Sequence, residues 1–488
     1  YLFSNLIIIM SNTINEQIVR TQGNQVGPFA ANNNRVDLIL NGGQVVDMTK
    51  TYLEVELRAI ITPATTDTTS SGVYDVACSF GDADYAFNVG LIKNCRLDSQ
   101  NLGNLEEINR VDILQTNLNT LTLSQEEKES LSVSSLAQSK SFAHQRYGLF
   151  TDFMMEGTTK SINKVPKVKI PMSQLFGLGK VPLLDLNKIG NLTVHIELNN
   201  NLLEAFVPTA NYTAAIIACN DINVSTNNLK TLELTTTYEN FDNIPYWIGQ
   251  HVTISGTATG GATFTNPSQT IVQIQRETTT GVVTLYFGDN ITTTSATESF
   301  TAVVCTPDVA GSSVEISIEN VAIVSSSITG VKPQEVVQYN TYTTEQMTVT
   351  AQQNFSQIVQ LPPNCINYFC MFPLANGLRS AYVNAKQYRN RLDNEQETSR
   401  PVQFLTPLYY EQLRRTLVNA GMKLKDLNKV TNVANAFPTG VNIQNLEIVA
   451  NAVNQTAGNK ILQLNIDSTA VNTGVSSINI YKQISKQL

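Results

Sequence analysis

Charge is scarce in this chain. Only 15% of its residues are Asp, Glu, Lys or Arg, and the balance is −8, with 32 basic against 40 acidic residues. With no basic block, gripping a nucleic-acid backbone, and hence direct genome binding, is not expected. Histidine is almost missing: His144, His195 and His251 are the whole set. No HExxH, HxxxH or clustered Cys/His spacing occurs, so a zinc site is not expected. The six cysteines (Cys78, Cys95, Cys219, Cys305, Cys365, Cys370) are scattered and form no CxxC pair. They read as buried thiols in a reducing compartment, not as a disulfide framework. No segment approaches the ~20 apolar residues that a membrane-crossing helix needs, so a soluble chain is expected. Tyr1–Ile9 (YLFSNLIII) is apolar but short, lacks a basic leader or cleavage site, and precedes Met10-Ser11. It reads as an extension that packs on a partner.

What is plentiful is Asn, Thr, Ser and Gln, a composition suited to strands and polar loops. Residues 10–34 are polar and patternless, and read as an arm ending in Ala-Ala-Asn-Asn-Asn. Leu53, Val55 and Leu57 alternate with Glu54, Glu56 and Arg58. That period of two marks a strand with one buried and one wet face. Leu105, Ile108, Val111, Leu114, Leu118 and Leu121 recur at spacings of three and four, which predicts a helix. Residues 200–310 are rich in Thr, Gly, Ser and Asn, and read as a hairpin-built insertion; Thr270–Gln275 and Val282–Phe287 flank the turn Thr279-Thr280-Gly281. Residues 326–335 read as a linker. Beyond it, Pro362-Pro363-Asn364 joins two strands. Thr406-Pro407 opens a helix that Gly421 ends.

The chain also repeats itself. Arg96-Leu97-Asp98 returns as Arg391-Leu392-Asp393, each before a helical stretch. Gly190–Leu198 returns as Gly458–Ile466, and Ser312–Glu319 as Ser476–Lys482. The order is kept while the offset shrinks, which places one large insertion, 200–310, in the first copy. Two copies of one β domain follow.

Candidate chemistry is thin. Gly177-Leu178-Gly179-Lys180 is followed by Val181 where a phosphate loop needs Ser or Thr, so it reads as a turn. Asp82 and Asp84 lack the glycine and closing glutamate of a calcium loop. No GxSxG occurs. Asn-x-Ser/Thr triplets at Asn191, Asn211, Asn223, Asn290, Asn354 and Asn454 follow from composition. Trp247 with Tyr246, Tyr409 and Tyr410 could stack on a sugar, but core packing is the commoner use. His195 reads as a cross-strand residue on a polar face. Arg96/Asp98 and Arg391/Asp393, two apart on strands, point to one face and can pair. With no second acid, histidine or metal ligand beside them, they define no reaction. No catalytic, metal or cofactor residues are assigned, and an enzyme is not expected.

The segment Leu91-Ile92-Lys93-Asn94-Cys95-Arg96-Leu97-Asp98, then Leu105-Glu106-Glu107-Ile108, then Ile170-Pro171-Met172-Ser173-Gln174-Leu175-Phe176-Gly177, is similar to the first jelly roll of polinton-like virus and virophage capsid proteins. Tyr409-Tyr410-Glu411-Gln412-Leu413 after Arg391-Leu392-Asp393 resembles the second. The resemblance covers most of residues 30–488 and names the double jelly-roll major capsid proteins of DNA viruses. It implies an all-β fold of two tandem eight-stranded jelly rolls, with short helices between strands and a β-rich insertion in the first. The expected division is an arm at 1–34, a first jelly roll at 35–329 and a second at 333–488. The implied function is a homotrimeric, pseudo-hexagonal capsomer that tiles an icosahedral virion shell, assembled inside the host cell. Its implied partners are neighbouring capsomers, penton and minor capsid proteins. A minor capsid or penton component is the nearer rival; a carbohydrate-binding adhesin of tandem sandwiches is the more distant one. The arm would lie on the inner side and reach a neighbour, and 200–310 would rise outward.

Overall fold

The computed structural model describes residues 15–29, 33–62, 73–80, 85–86, 88–124, 126–128, 138–139, 150–154, 167–199, 203–206, 217–218, 222–223, 230–237, 246, 251–258, 260–277, 279–294, 299–307, 313–331, 333, 335–349, 353–373, 378, 380, 385–393, 395–396, 400–425, 446–453, 458–471 and 477–488. The expectations for Tyr1–Ile9, Asp82, Asp84, His144, Cys219 and Trp247 lie outside these residues.

Eight strands build unit one: β1 (Asn15–Gln22), β2 (Arg35–Leu40), β3 (Val45–Thr62), β4 (Ile92–Ser99), β5 (Gly103–Asn109), β6 (Lys167–Pro171), β7 (Leu192–Leu198) and β8 (Ser313–Thr329). They form two antiparallel sheets, ordered β1-β8-β3-β6 and β2-β7-β4-β5. Unit two has β9 (Gln338–Thr348), β10 (Asn354–Leu361), β11 (Cys365–Met371), β12 (Ala385–Leu392), β13 (Glu395–Gln396), β14 (Ile448–Ala452), β15 (Lys460–Ser468) and β16 (Ser477–Gln487). Its sheets run β9-β16-β11-β14 and β10-β15-β12-β13. Adding eight to each strand number of unit one yields unit two. Each order is that of a jelly roll, in which successive strands mostly alternate between two facing sheets. The fold is therefore two tandem jelly rolls.

Register confirms the repeat residue by residue. Arg96 and Leu97 stand opposite His195 and Val194. Arg391 and Leu392 stand opposite Gln463 and Leu462. Counted from Gly190 and Gly458, the opposed residues occupy the same two positions. Alternation explains the cores: Leu53, Val55 and Leu57 are buried, as are Leu192, Val194, Ile196 and Leu198. One apolar cluster runs through both units. Cys95, Cys305, Cys365 and Cys370 are buried and form no disulfide.

Three expectations are corrected. Asn15–Gln22, read as part of a free arm, is the edge strand β1, paired along its length with β8 from Asn15↔Thr329 to Gln22↔Ala322. Arg20 anchors it to Glu54 (2.9 Å) and Glu56 (3.3 Å) on β3. Ser326–Thr329, read as linker, is strand in the same pairing. Leu105 and Ile108 sit on β5, and the helix α1 spans only Val111–Thr122. Between them Arg110 adopts φ 54°, a left-handed conformation that breaks the path of the strand. The three-residue spacing arose because β5 is covered on both faces: Leu105 and Glu106, neighbours in sequence, are both buried.

Other elements fall where their signals place them. Asn364 has φ 60° between β10 and β11. The helix α2 (Pro407–Asn419) starts at Thr406, whose hydroxyl accepts the Tyr409 N–H, and ends at Gly421 with φ 78°. Ser268–Arg276 pairs with Val283–Phe287 as a hairpin. That hairpin belongs to a sheet of seven strands inside the β7–β8 connection. The sheet has its own apolar core, which includes Leu232, Ile254, Ile271, Leu285 and Phe300.

Candidate functional site: the seam between the units

A buried polar network lies where unit two packs on unit one. Glu106 on β5 is 1% exposed. Its two oxygens accept the N–H groups of Gly177 (2.7 Å) and Leu178 (2.8 Å), and the Thr341 hydroxyl on β9 donates to it. One carboxylate thus ties the β6–β7 connection of unit one to the first strand of unit two. Burial pushes its pKa up, while the Thr341, Leu178 and Gly177 donors pull it back.

A second cluster sits at the start of α1. Arg110 holds Asp112 through Nε and Nη2, at 3.1 Å each. Asp112 is fully buried and also accepts the Ile113 N–H (2.8 Å) and the Asn199 amide (2.8 Å). Burial raises its pKa, opposed by the Arg110 charge. The carbonyl that Arg110 turns outward accepts the Tyr481 hydroxyl of β16 at 2.8 Å. Asn117, one turn further along α1, donates to the Leu378 carbonyl (2.8 Å) and accepts the Ser380 N–H (2.9 Å) of unit two. Lys486 donates to the Leu105 carbonyl, and the Lys425 N–H to that of Leu121. At the rim the Lys425 ammonium pairs with Glu127 and, with the Ser124 N–H, holds that carboxyl down at about 2.

Gly177-Leu178-Gly179-Lys180 takes its meaning here. Gly177 lies against the β9 backbone, and a Cβ at this position would collide with the Asn340 carbonyl. A polar cavity of about 460 Å³ opens beside it, lined by Gly177, Lys180, Asn340, Gly421 and Ser485 among others. The motif is a turn, and its glycine permits close approach of the second unit.

The residues singled out in the sequence lie elsewhere. Arg96 pairs with Asp98 (2.7 Å) on the open face of the β2-β7-β4-β5 sheet. His195 bridges Asp37 (2.6 Å) and Asp98 (3.2 Å) across three strands. In the second copy the pattern diverges: Asp393 leaves the strand at φ 50° and accepts the Ile461 N–H. Tyr246 and Tyr409 are buried, with hydroxyls donated to the Cys305 and Leu446 carbonyls, so neither offers a sugar-stacking face. Among the described residues no three His, Cys, Asp or Glu side chains are grouped to hold a metal. No helix among them is long and apolar enough to cross a membrane.

The seam residues escaped sequence reasoning. Arg-x-Asp occurs at 35–37, 96–98, 110–112 and 391–393. Only the 110–112 copy straddles a helix start, and only there is the aspartate fully buried. A charged pair next to the apolar face of a helix was the one available signal.

No protein-family model matches the sequence, and no curated protein is similar to it in sequence. Solved structures similar to it in fold include the Faustovirus major capsid protein, at 10% identity and TM-score 0.47, covering 100% of this chain and 92% of that one. The Sputnik virophage structure matches at 11% identity and TM-score 0.44, covering 97% and 86%. The mavirus major capsid protein matches at 9% and 0.41, covering 96% and 86%. Scores at this level add no argument. The double jelly roll rests on the strand order and register above.

Proposed function

We propose that this chain is a major capsid protein, a structural subunit whose copies associate in threes as pseudo-hexagonal capsomers and tile an icosahedral virion shell. The supporting observation is the duplicated strand order joined by a buried seam. A chain that carries two similar wedges locked edge to edge presents six of them in a ring of three. Closed symmetry then lets one sequence reuse its surfaces. The chemistry is that of assembly: buried apolar area, satisfied hydrogen bonds and shape.

The chain divides into unit one through residue 329, now including β1, and unit two at 333–488. In either jelly roll the odd-to-even connections share one end of the barrel. Pieces of three such connections in unit one, Val73–Phe80, Phe150–Met154 and Leu203–Phe206, form one small sheet. This grouping supports a protrusion that rises outward from the shell, with the 200–310 insertion as its main part. Neighbouring capsomers are the first partners; penton and minor capsid proteins are further ones.

The test is the mass of the purified protein in solution together with its outline in negative stain. A stable species near three times 53.6 kDa with a hexagonal outline is expected. A monomer at all concentrations rejects the reading.

A further inference from the structure

At the cavity beside Gly177, polar groups of both units converge without satisfying one another. Lys180 reaches it from the β6–β7 connection of unit one, and Asn340, Gln483 and Ser485 from β9 and β16 of unit two. Asn340 stands directly opposite Ser485. Opposed residues share a face of a sheet, as do residues two apart, so Asn340, Gln483 and Ser485 lie on one face.

Gln483 is only 2% exposed, and a relay fixes its amide. The Asn419 amide nitrogen donates to the Ile366 carbonyl (3.1 Å) and to Asn367 Oδ1 (2.8 Å). Asn367 Nδ2 in turn donates to Gln483 Oε1 (2.6 Å). Gln483 Nε2 is left facing the cavity with no acceptor among the described residues. A buried donor in that state is costly. The Lys180 ammonium, the Asn340 amide and the Ser485 hydroxyl also lack partners among the described residues. Protein packed around Lys180 lowers its pKa, although the Glu106 charge works the other way. The ammonium has lost hydration without gaining a counter-ion.

We propose that this cavity binds a small phosphate-bearing molecule, held by Lys180 of unit one and by Asn340, Gln483 and Ser485 of unit two. No Asp or Glu is among the described residues that line it. Glu106 lies behind Gly177, and its oxygens are taken by Gly177, Leu178 and Thr341. The end of α2 borders the cavity, but its Thr416, Leu417 and Val418 carbonyls accept the N–H groups of Ala420, Met422 and Gly421. Lys180 balances the ligand's charge, and the two amides and the hydroxyl donate to its oxygens. The spread of oxygens on a phosphate uses all four groups, which the pair on a carboxylate does not. A volume of about 460 Å³ leaves room for an organic part and falls within the roughly 300–1,000 Å³ of small-molecule sites. A bound ligand ties the β6–β7 connection to β9 and β16, so it stabilises the contact between the units. The site lies within one chain and does not depend on how copies associate.

The experiment titrates the full-length protein with inorganic phosphate and with glycerol phosphate in a calorimeter, at constant ionic strength with chloride as the control. Saturable binding is expected, with a thermal unfolding temperature that rises with either probe and not with chloride. Lys180→Met should weaken binding roughly tenfold or more while leaving thermal unfolding in chloride unchanged. Ser485→Ala, at a half-buried position, should weaken it less. No saturable binding of either probe, or unchanged affinity in Lys180→Met or in Ser485→Ala, overturns the site.

Discussion

Unit one and unit two carry one strand order on very different amounts of chain. In unit two the third-to-fourth and seventh-to-eighth connections occupy residues 372–384 and 469–476. Their counterparts in unit one occupy 63–91 and 199–312. The long β7–β8 connection has a core of its own, separate from the continuous core of the two barrels. The alternating interior of a jelly roll specifies the barrel. Connections at its ends grow at little thermodynamic cost, since loop-closure entropy rises slowly with length. The second contrast is burial: ten of the twelve residues of α1 are buried, against four of the thirteen of α2.

The largest effect is expected at the start of α1. Asp112→Ala leaves the Arg110 guanidinium without its carboxylate in a buried site. Global stability should fall by about 3 kcal/mol, read from denaturant unfolding. If the loss is negligible, the pair does not secure the start of α1. Next, Gly177→Val drives a branched side chain into the Asn340 carbonyl. Overpacking of this kind costs roughly 2 kcal/mol, and limited proteolysis should show the units separating before either barrel unfolds.

Glu106→Gln sharpens the account through pH. The folded-state pKa of Glu106 is raised, so between the ordinary carboxylate value and the raised one the native state binds more protons than the unfolded state. Stability should therefore decline as pH rises through that window and be flat above it. The Gln variant should lack this component; an unchanged pH profile would remove Glu106 from the seam's energetics. The smallest effect belongs to Arg96→Ala. Its pair with Asp98 is on the wet face, where ion pairs contribute little. Thermal unfolding should be indistinguishable from that of the unsubstituted protein, against the large loss at Asp112.

Much of the fold was legible in sequence because a barrel strand writes its environment locally. Leu53, Val55 and Leu57 alternate because one face is wet. The Gly-Asn starts of β7 and β15 fix the register of the repeat. β1 was not legible: Asn-Glu-Gln-Ile-Val-Arg-Thr-Gln has no alternation, since neither face is buried and the backbone pairs with β8 at the far end of unit one, from Asn15↔Thr329 to Gln22↔Ala322. The start of α1 was misplaced for the opposite reason. β5 is buried on both faces, which removes the period of two. The seam itself joins Glu106 to Thr341 and Arg110 to Tyr481, contacts between distant stretches that no local pattern records. The one sequence feature that drew most interest, the twinned Arg-Leu-Asp, marks equivalent strand positions and sits outside the seam.

The most direct test of the central claim is a cryo-electron microscopy reconstruction of the purified oligomer. Three copies should give a ring of six barrels, three with tall protrusions from unit one alternating with three low ones. A ring with six equal lobes, or a particle that is not a ring of six barrels, would contradict it.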